Sequence, residues 1–219
     1  MQTKARFPWP QRTTVLAGAL LLVSGVLLLM VSVRLAVPVT NSFVIPLSGP
    51  VVSFAAAIVR VAAFVVAAFG VAGEVGIAGH STIGRSALAV WGLRDLVFLT
   101  LALAPLTTTP VVASAGLALN LVFAIAALAS AILVLRARVL WGAARWVWLL
   151  VAIIECAFVA VSDPLPFATD AALRLLLALA AWPLEYIEPV LTLAIAVSLL
   201  LWGRVEAVKH RARLVHDAW

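Results

Sequence analysis

Very little of this chain can carry charge. Only 11% of its 219 residues are Asp, Glu, Lys or Arg, too few to clothe a water-soluble domain. Cysteine occurs once, at Cys156, so an internal disulfide is excluded. His80, His210 and His216 are not grouped with cysteine at ligand spacing, and no metal site is expected. There is no P-loop, Gly-x-Ser-x-Gly elbow or His-Glu-x-x-His helix. Neither a cofactor nor catalytic machinery is therefore expected, and an enzyme is the less favoured class. Runs such as Val15 to Val33 also lack the apolar–polar alternation of a membrane β-barrel.

What fills the chain is apolar sequence. Hydrophobic residues make up 65%, and the mean hydropathy is +1.20. A span takes roughly 20 apolar residues to cross a hydrocarbon core about 30 Å thick. The expected fold is all-α: a polytopic membrane bundle of six transmembrane helices over residues 1–203, followed by a basic tail over 204–219. The first five spans fall at about 13–37, 51–71, 86–104, 111–135 and 146–162. The first follows Lys4, Arg6 and Arg12 and reads as a retained signal anchor, being too long for a usual signal-peptide core.

The last apolar stretch needs a break. Ala171 to Gly203 as one helix would reach roughly 50 Å at the usual rise. Pro183 and Pro189, within Trp182-Pro183-Leu184-Glu185-Tyr186-Ile187-Glu188-Pro189, remove helix hydrogen bonds and divide it. This predicts a short outer-face helix, interfacial or re-entrant, at about 168–182 and a sixth span at about 184–203. Asp170 and Arg174 are spaced to pair on the short helix.

Basic residues set the orientation. Of 15, the 11 at Lys4, Arg6, Arg12, Arg85, Arg136, Arg138, Arg145, Arg204, Lys209, Arg211 and Arg213 fall on one side of the alternation. The outer loops contain none. By the positive-inside rule both termini are cytoplasmic, in a multi-pass protein of the plasma membrane. The same rule accounts for the pI near 11.0 without nucleic-acid binding. Thirteen arginines against two lysines, with abundant Ala, Val and Leu, suit a GC-rich bacterial genome of the actinobacterial kind. Trp9, Trp141, Trp146 and Trp202 are expected near the inner interface, and Trp182 and Tyr186 near the outer one.

Exceptions to the charge rule point to function. Arg60, Arg94, Asp95 and Glu155 fall near the middle of their spans, where an ionised group costs from about 3 to more than 10 kcal/mol and needs a partner. Two positive and two negative charges cancel there. With Asn120 and Thr100 they form a candidate polar site, or else structural ion pairs in which the adjacent Arg94 and Asp95 point in different directions. Arg60 is expected to bind Glu155: Ala57-Ile58-Val59-Arg60 and Ala152-Ile153-Ile154-Glu155 are similar strings, on spans that would be equivalent in an inverted repeat. Glu185 and Glu188, three apart on one helical face, form a candidate outer gate.

Two further segments have a pattern. Gly70, Gly73, Gly76, Gly79 and Gly84 make the inner loop read as a flexible hinge, with His80 exposed on it. Gly18, Gly25 and Gly116 are expected to permit close helix packing. In the tail, Val205, Val208, Ala212, Val215 and Trp219 recur at helical steps beside Lys209, Arg211 and Arg213, an amphipathic pattern suited to anionic headgroups. Two classes follow: a small-solute or ion transport-type protein with a charged midplane site, or a non-catalytic accessory subunit. The partners expected are the lipid bilayer and either another membrane protein or a second copy of the chain.

Overall fold

In the computed structural model the regular structure among the described residues is entirely helical. The described residues are 11–36, 49–103, 110–140, 142–162, 170, 175, 187–202 and 205. They contain α1 (Gln11–Ala36), α2 (Gly49–Phe69), α3 (Thr82–Leu103), α4 (Pro110–Ala137) and α5 (Ala143–Ser162), each long and apolar enough to cross a membrane. A shorter apolar helix, α6, runs from Ile187 to Trp202. Helices suit such a chain because they satisfy their own backbone polar groups where water is absent. The short helix expected at 168–182, apart from residues 170 and 175, and the tail beyond 205 lie outside the described residues.

Helix starts follow local chemistry. Pro50 and Pro110 stand in the first turns of α2 and α4, where the missing N–H costs nothing. α3 begins at Thr82, ahead of the expected start at Ser86, because Ser81 caps it: the Gly84 N–H donates to Ser81 Oγ at 3.0 Å.

The glycine-rich segment between α2 and α3 is a braced corner rather than the expected hinge. Ile77 and Ala78 are buried, and the Ile77 N–H donates to the Ala67 carbonyl at 2.8 Å. A side chain at Gly76 would strike the backbone of Ala67 and Ala68, so the glycine lets two backbones meet. Glu74 then reaches back to the start of α1. The Arg12 and Thr13 N–H groups donate to its Oε1 and Oε2 at 3.1 and 2.7 Å, and the Val71 N–H donates to Thr13 Oγ1 at 3.0 Å. One carboxylate thus satisfies two of the donors that a helix N-terminus leaves unpaired, at the end where negative charge is favoured. His80 is exposed on this corner.

Glu74→Ala should accordingly cost about 1–2 kcal/mol, in the range of a lost helix cap. Hydrogen exchange at the Arg12 and Thr13 amides should rise in step, and Glu74→Gln, which keeps an acceptor, should lose less. Unchanged exchange at both amides would show that the cap does not hold α1.

Small residues bring α1 against its neighbours. Ser24 Oγ donates to the Ala56 carbonyl of α2 at 3.0 Å. Gly18 faces Leu200, Ala196 and Leu199 of α6, and Gly25 faces Leu193, so α6 runs antiparallel to α1 with Trp202 toward the corner. Gly116 does not take part in such packing: a Cβ there would meet nothing within 4 Å. Trp202, at the corner end of α6, is buried in the core cluster, whereas Trp146 is exposed, with the Arg145 guanidinium 5.5 Å from its ring.

Candidate functional site

Four helices deliver their charged residues to one place. Arg60 lies near the middle of α2 and is 3% exposed. Its Nη1 donates to Asp95 Oδ2 of α3 at 2.5 Å and to Glu188 Oε1 of α6 at 2.7 Å. Its Nη2 donates to Glu155 Oε1 of α5 at 3.2 Å. Arg94 Nη1 is 3.7 Å from Glu155 Oε2 and 3.9 Å from Glu188 Oε1. The planar fork of arginine suits Arg60 to this position, because it presents donors to several carboxylates at once. Away from water these attractions are little screened, and they offset the large cost of desolvating each ion.

The Arg60–Glu155 contact joins the spans expected to pair. Two other expectations change. Arg94 and Asp95, although adjacent, both reach the cluster, because the long arginine side chain spans the difference in helical direction. Glu188, assigned to an outer gate apart from the midplane charges, bonds the same guanidinium that Asp95 and Glu155 hold. The charges therefore do not cancel in pairs: three carboxylates face two guanidiniums.

Burial is uneven across the cluster. Side-chain exposure is 4% at Arg60, 8% at Glu155, 11% at Arg94, 16% at Asp95 and 36% at Glu188. The only member more than one-fifth exposed is Glu188, the one on α6.

Aromatic rings lie toward the corner from the charges. Phe64 is one turn past Arg60 on α2, Trp91 one turn before Asp95 on α3, and Trp148 two turns before Glu155 on α5. Their centroids are 5.1 Å apart for Phe64–Trp91, 5.7 Å for Phe64–Trp148 and 5.6 Å for Trp91–Trp148, all edge to face. All three are essentially fully buried. The Trp91 indole N–H donates to Glu155 Oε2 at 2.6 Å, which fixes that carboxylate from below. The Arg60 and Arg94 guanidiniums lie 5.8 Å from the Phe64 and Phe158 rings.

The remaining candidates are dispersed. Asn120 is half-buried on α4. Thr100 is exposed, and its hydroxyl donates to the Leu96 carbonyl of its own helix at 2.6 Å. Glu185, Lys209, Arg211, Arg213 and Trp219 lie outside the described residues. Among the described residues no group of His, Cys, Asp and Glu has the geometry to hold a metal ion. Sequence reasoning missed Trp91 and Trp148, which in the sequence resemble ordinary span residues. No protein-family model, curated protein or solved structure matches the chain.

Proposed function

We propose that the chain is a transport-type membrane protein that binds a small positive species, a proton or a monovalent cation, at the charged cluster. The observation that carries this reading is the balance of three carboxylates against two guanidiniums. An unneutralised negative charge in a bilayer is costly, and one positive charge taken from solution removes that cost. An anion is a poor cargo for the same reason, since both guanidiniums are already engaged. Glu188 is the entry residue of the site, being its most exposed member.

We place this site in a six-span bundle with both termini cytoplasmic, on the strength of the basic-residue asymmetry, with the outer helix at 168–182 leading into the sixth span. Glu185 belongs to the outer mouth. The basic tail, with Lys209, Arg211, Arg213 and Trp219, is the anionic-lipid anchor. A second reading has one observation in its favour: the close engagement of Arg60 by three helices also suits a rigid accessory subunit, for which the ions are structural and the partner is another membrane protein or a second copy.

The two readings separate in liposomes. Purified protein should carry H⁺, Na⁺ or K⁺ down an imposed gradient, followed by an internal pH- or cation-sensitive dye. Glu188→Gln should lower the flux by about tenfold or more, the factor that corresponds to roughly 1.4 kcal/mol of lost cation binding. Absence of flux for all three ions in wild type would reject the transport reading in favour of the accessory one.

A further inference from the structure

Resting on the transport reading for its purpose, we infer that Phe64, Trp91 and Trp148 form a one-sided gate, closing the route from the charged cluster toward the 70–81 corner. The three rings stand on the same three helices that supply Arg60, Asp95 and Glu155, and they lie one to two turns nearer the corner. Their mutual edge-to-face contacts span α2, α3 and α5 with centroid separations of 5.1 to 5.7 Å. Among the described residues such a layer leaves no polar path between the rings, which are within 1% of complete burial. On the α6 side Glu188 retains 36% of its exposure. The site is thus open to one side and closed to the other.

Trp148 is the ring without a polar tether. Trp91 is pinned by its bond to Glu155, and Phe64 is attached one turn from Arg60, the hub of the ion cluster. The Trp148 Nε1–H, although fully buried, has no hydrogen-bond partner among the described residues. A buried donor left unpaired is costly and rare. Among the described residues no polar bond therefore holds the indole in its present rotamer, which makes Trp148 the ring whose displacement would open the layer. Closed and open arrangements of one side chain are the kind of two-state element that a bound ion can bias.

The test reads accessibility rather than transport. An impermeant carbodiimide with a small amine is applied from either face of oriented vesicles, and amide formation at Glu188 and Asp95 is read by mass spectrometry. Vesicle orientation is read from an impermeant maleimide on Ile83→Cys, exposed beside the corner, in a Cys156→Ala background. Wild type should be labelled from the face opposite the corner only. Trp148→Ala should lose this sidedness, the two rates agreeing within a factor of about two once both routes are populated, and Trp148→Phe should retain it. Trp148→Leu, which keeps more of the volume, serves if the alanine variant does not fold. Equal labelling of wild type from both faces overturns the gate whatever the flux; so does one-sided labelling of a folded Trp148→Ala or Trp148→Leu protein. One-sided labelling of wild type, lost in the variant, without ion flux leaves the gate standing and rejects the transport reading.

Discussion

Arg60→Ala should cost about 3–5 kcal/mol of stability, the range for removing one partner from a buried ion pair. Arg60 is the hub: Asp95, Glu155 and Glu188 come from three helices and share its two terminal nitrogens. Without it, three carboxylates face only Arg94, at 3.7 Å from Glu155 and 3.9 Å from Glu188. The loss is therefore mostly repulsion and exposed desolvation cost rather than forfeited attraction. That origin gives a check. Arg60→Ala combined with Asp95→Asn and Glu188→Gln should recover a large part of the lost stability, although it removes more native contacts. Arg60→Lys should fall between, because one ammonium cannot match the fork that reaches Glu155 with one nitrogen and two other acids with the second. Reversible unfolding in mixed micelles, followed by helical signal, measures all three. A loss of less than about 1 kcal/mol for Arg60→Ala, the level of an exposed pair, would show the cluster to be water-screened.

Much of this arrangement can be read without coordinates, and the reason is cost. A guanidinium or carboxylate in an apolar run must find a partner, so Arg60, Arg94, Asp95 and Glu155 identify one another by their rarity alone. Long apolar runs likewise announce five helices with only their ends uncertain, as at Ser81, where a cap moves the start of α3. Glu188 was harder to place. Pro183 and Pro189 mark a break and so draw both nearby glutamates toward the surface in any linear count. What brings Glu188 inward is packing 128 residues away in sequence, the contact with Arg60, and no local pattern encodes it.

The corner misled for a related reason. Five glycines in a short stretch signal freedom when only neighbours are considered. Here Gly76 permits two backbones to touch, and Glu74 is spent on amides 62 and 61 residues away. A glycine needed for proximity and a glycine needed for motion look alike until the partner is known. The aromatic layer was hidden by chemistry instead: Trp91 and Trp148 resemble ordinary span residues, and only their one- and two-turn offsets from Asp95 and Glu155 place them in a common layer.

Gly92→Ala should separate α2 from α3 and cost about 1–3 kcal/mol, the usual range for overpacking a filled core. A Cβ at Gly92 would lie 2.8 Å from Phe64 Cγ and would overlap Phe64 Cβ outright. The Phe64 Cβ is fixed to the α2 backbone, so no rotamer change relieves the clash and the helices themselves must part. Both neighbouring layers then suffer. Phe64 is one ring of the aromatic layer, and Arg60, one turn along α2, holds Asp95 at 2.5 Å from the next turn of α3. A parting of even one ångström lengthens that ion pair and loosens the Phe64–Trp91 edge, so stability and one-sided labelling should fall together. Gly116→Ala is the matched control. Its Cβ meets nothing within 4 Å, and alanine is the better helix former by about 1 kcal/mol, so that variant should be neutral or slightly stabilised. If the two alanine variants unfold alike, the close approach of α2 and α3 at Gly92 does not set the spacing of the charged cluster. If only Gly92→Ala is destabilised but keeps its sidedness, the ion pairs rather than the ring contacts hold the layer in register.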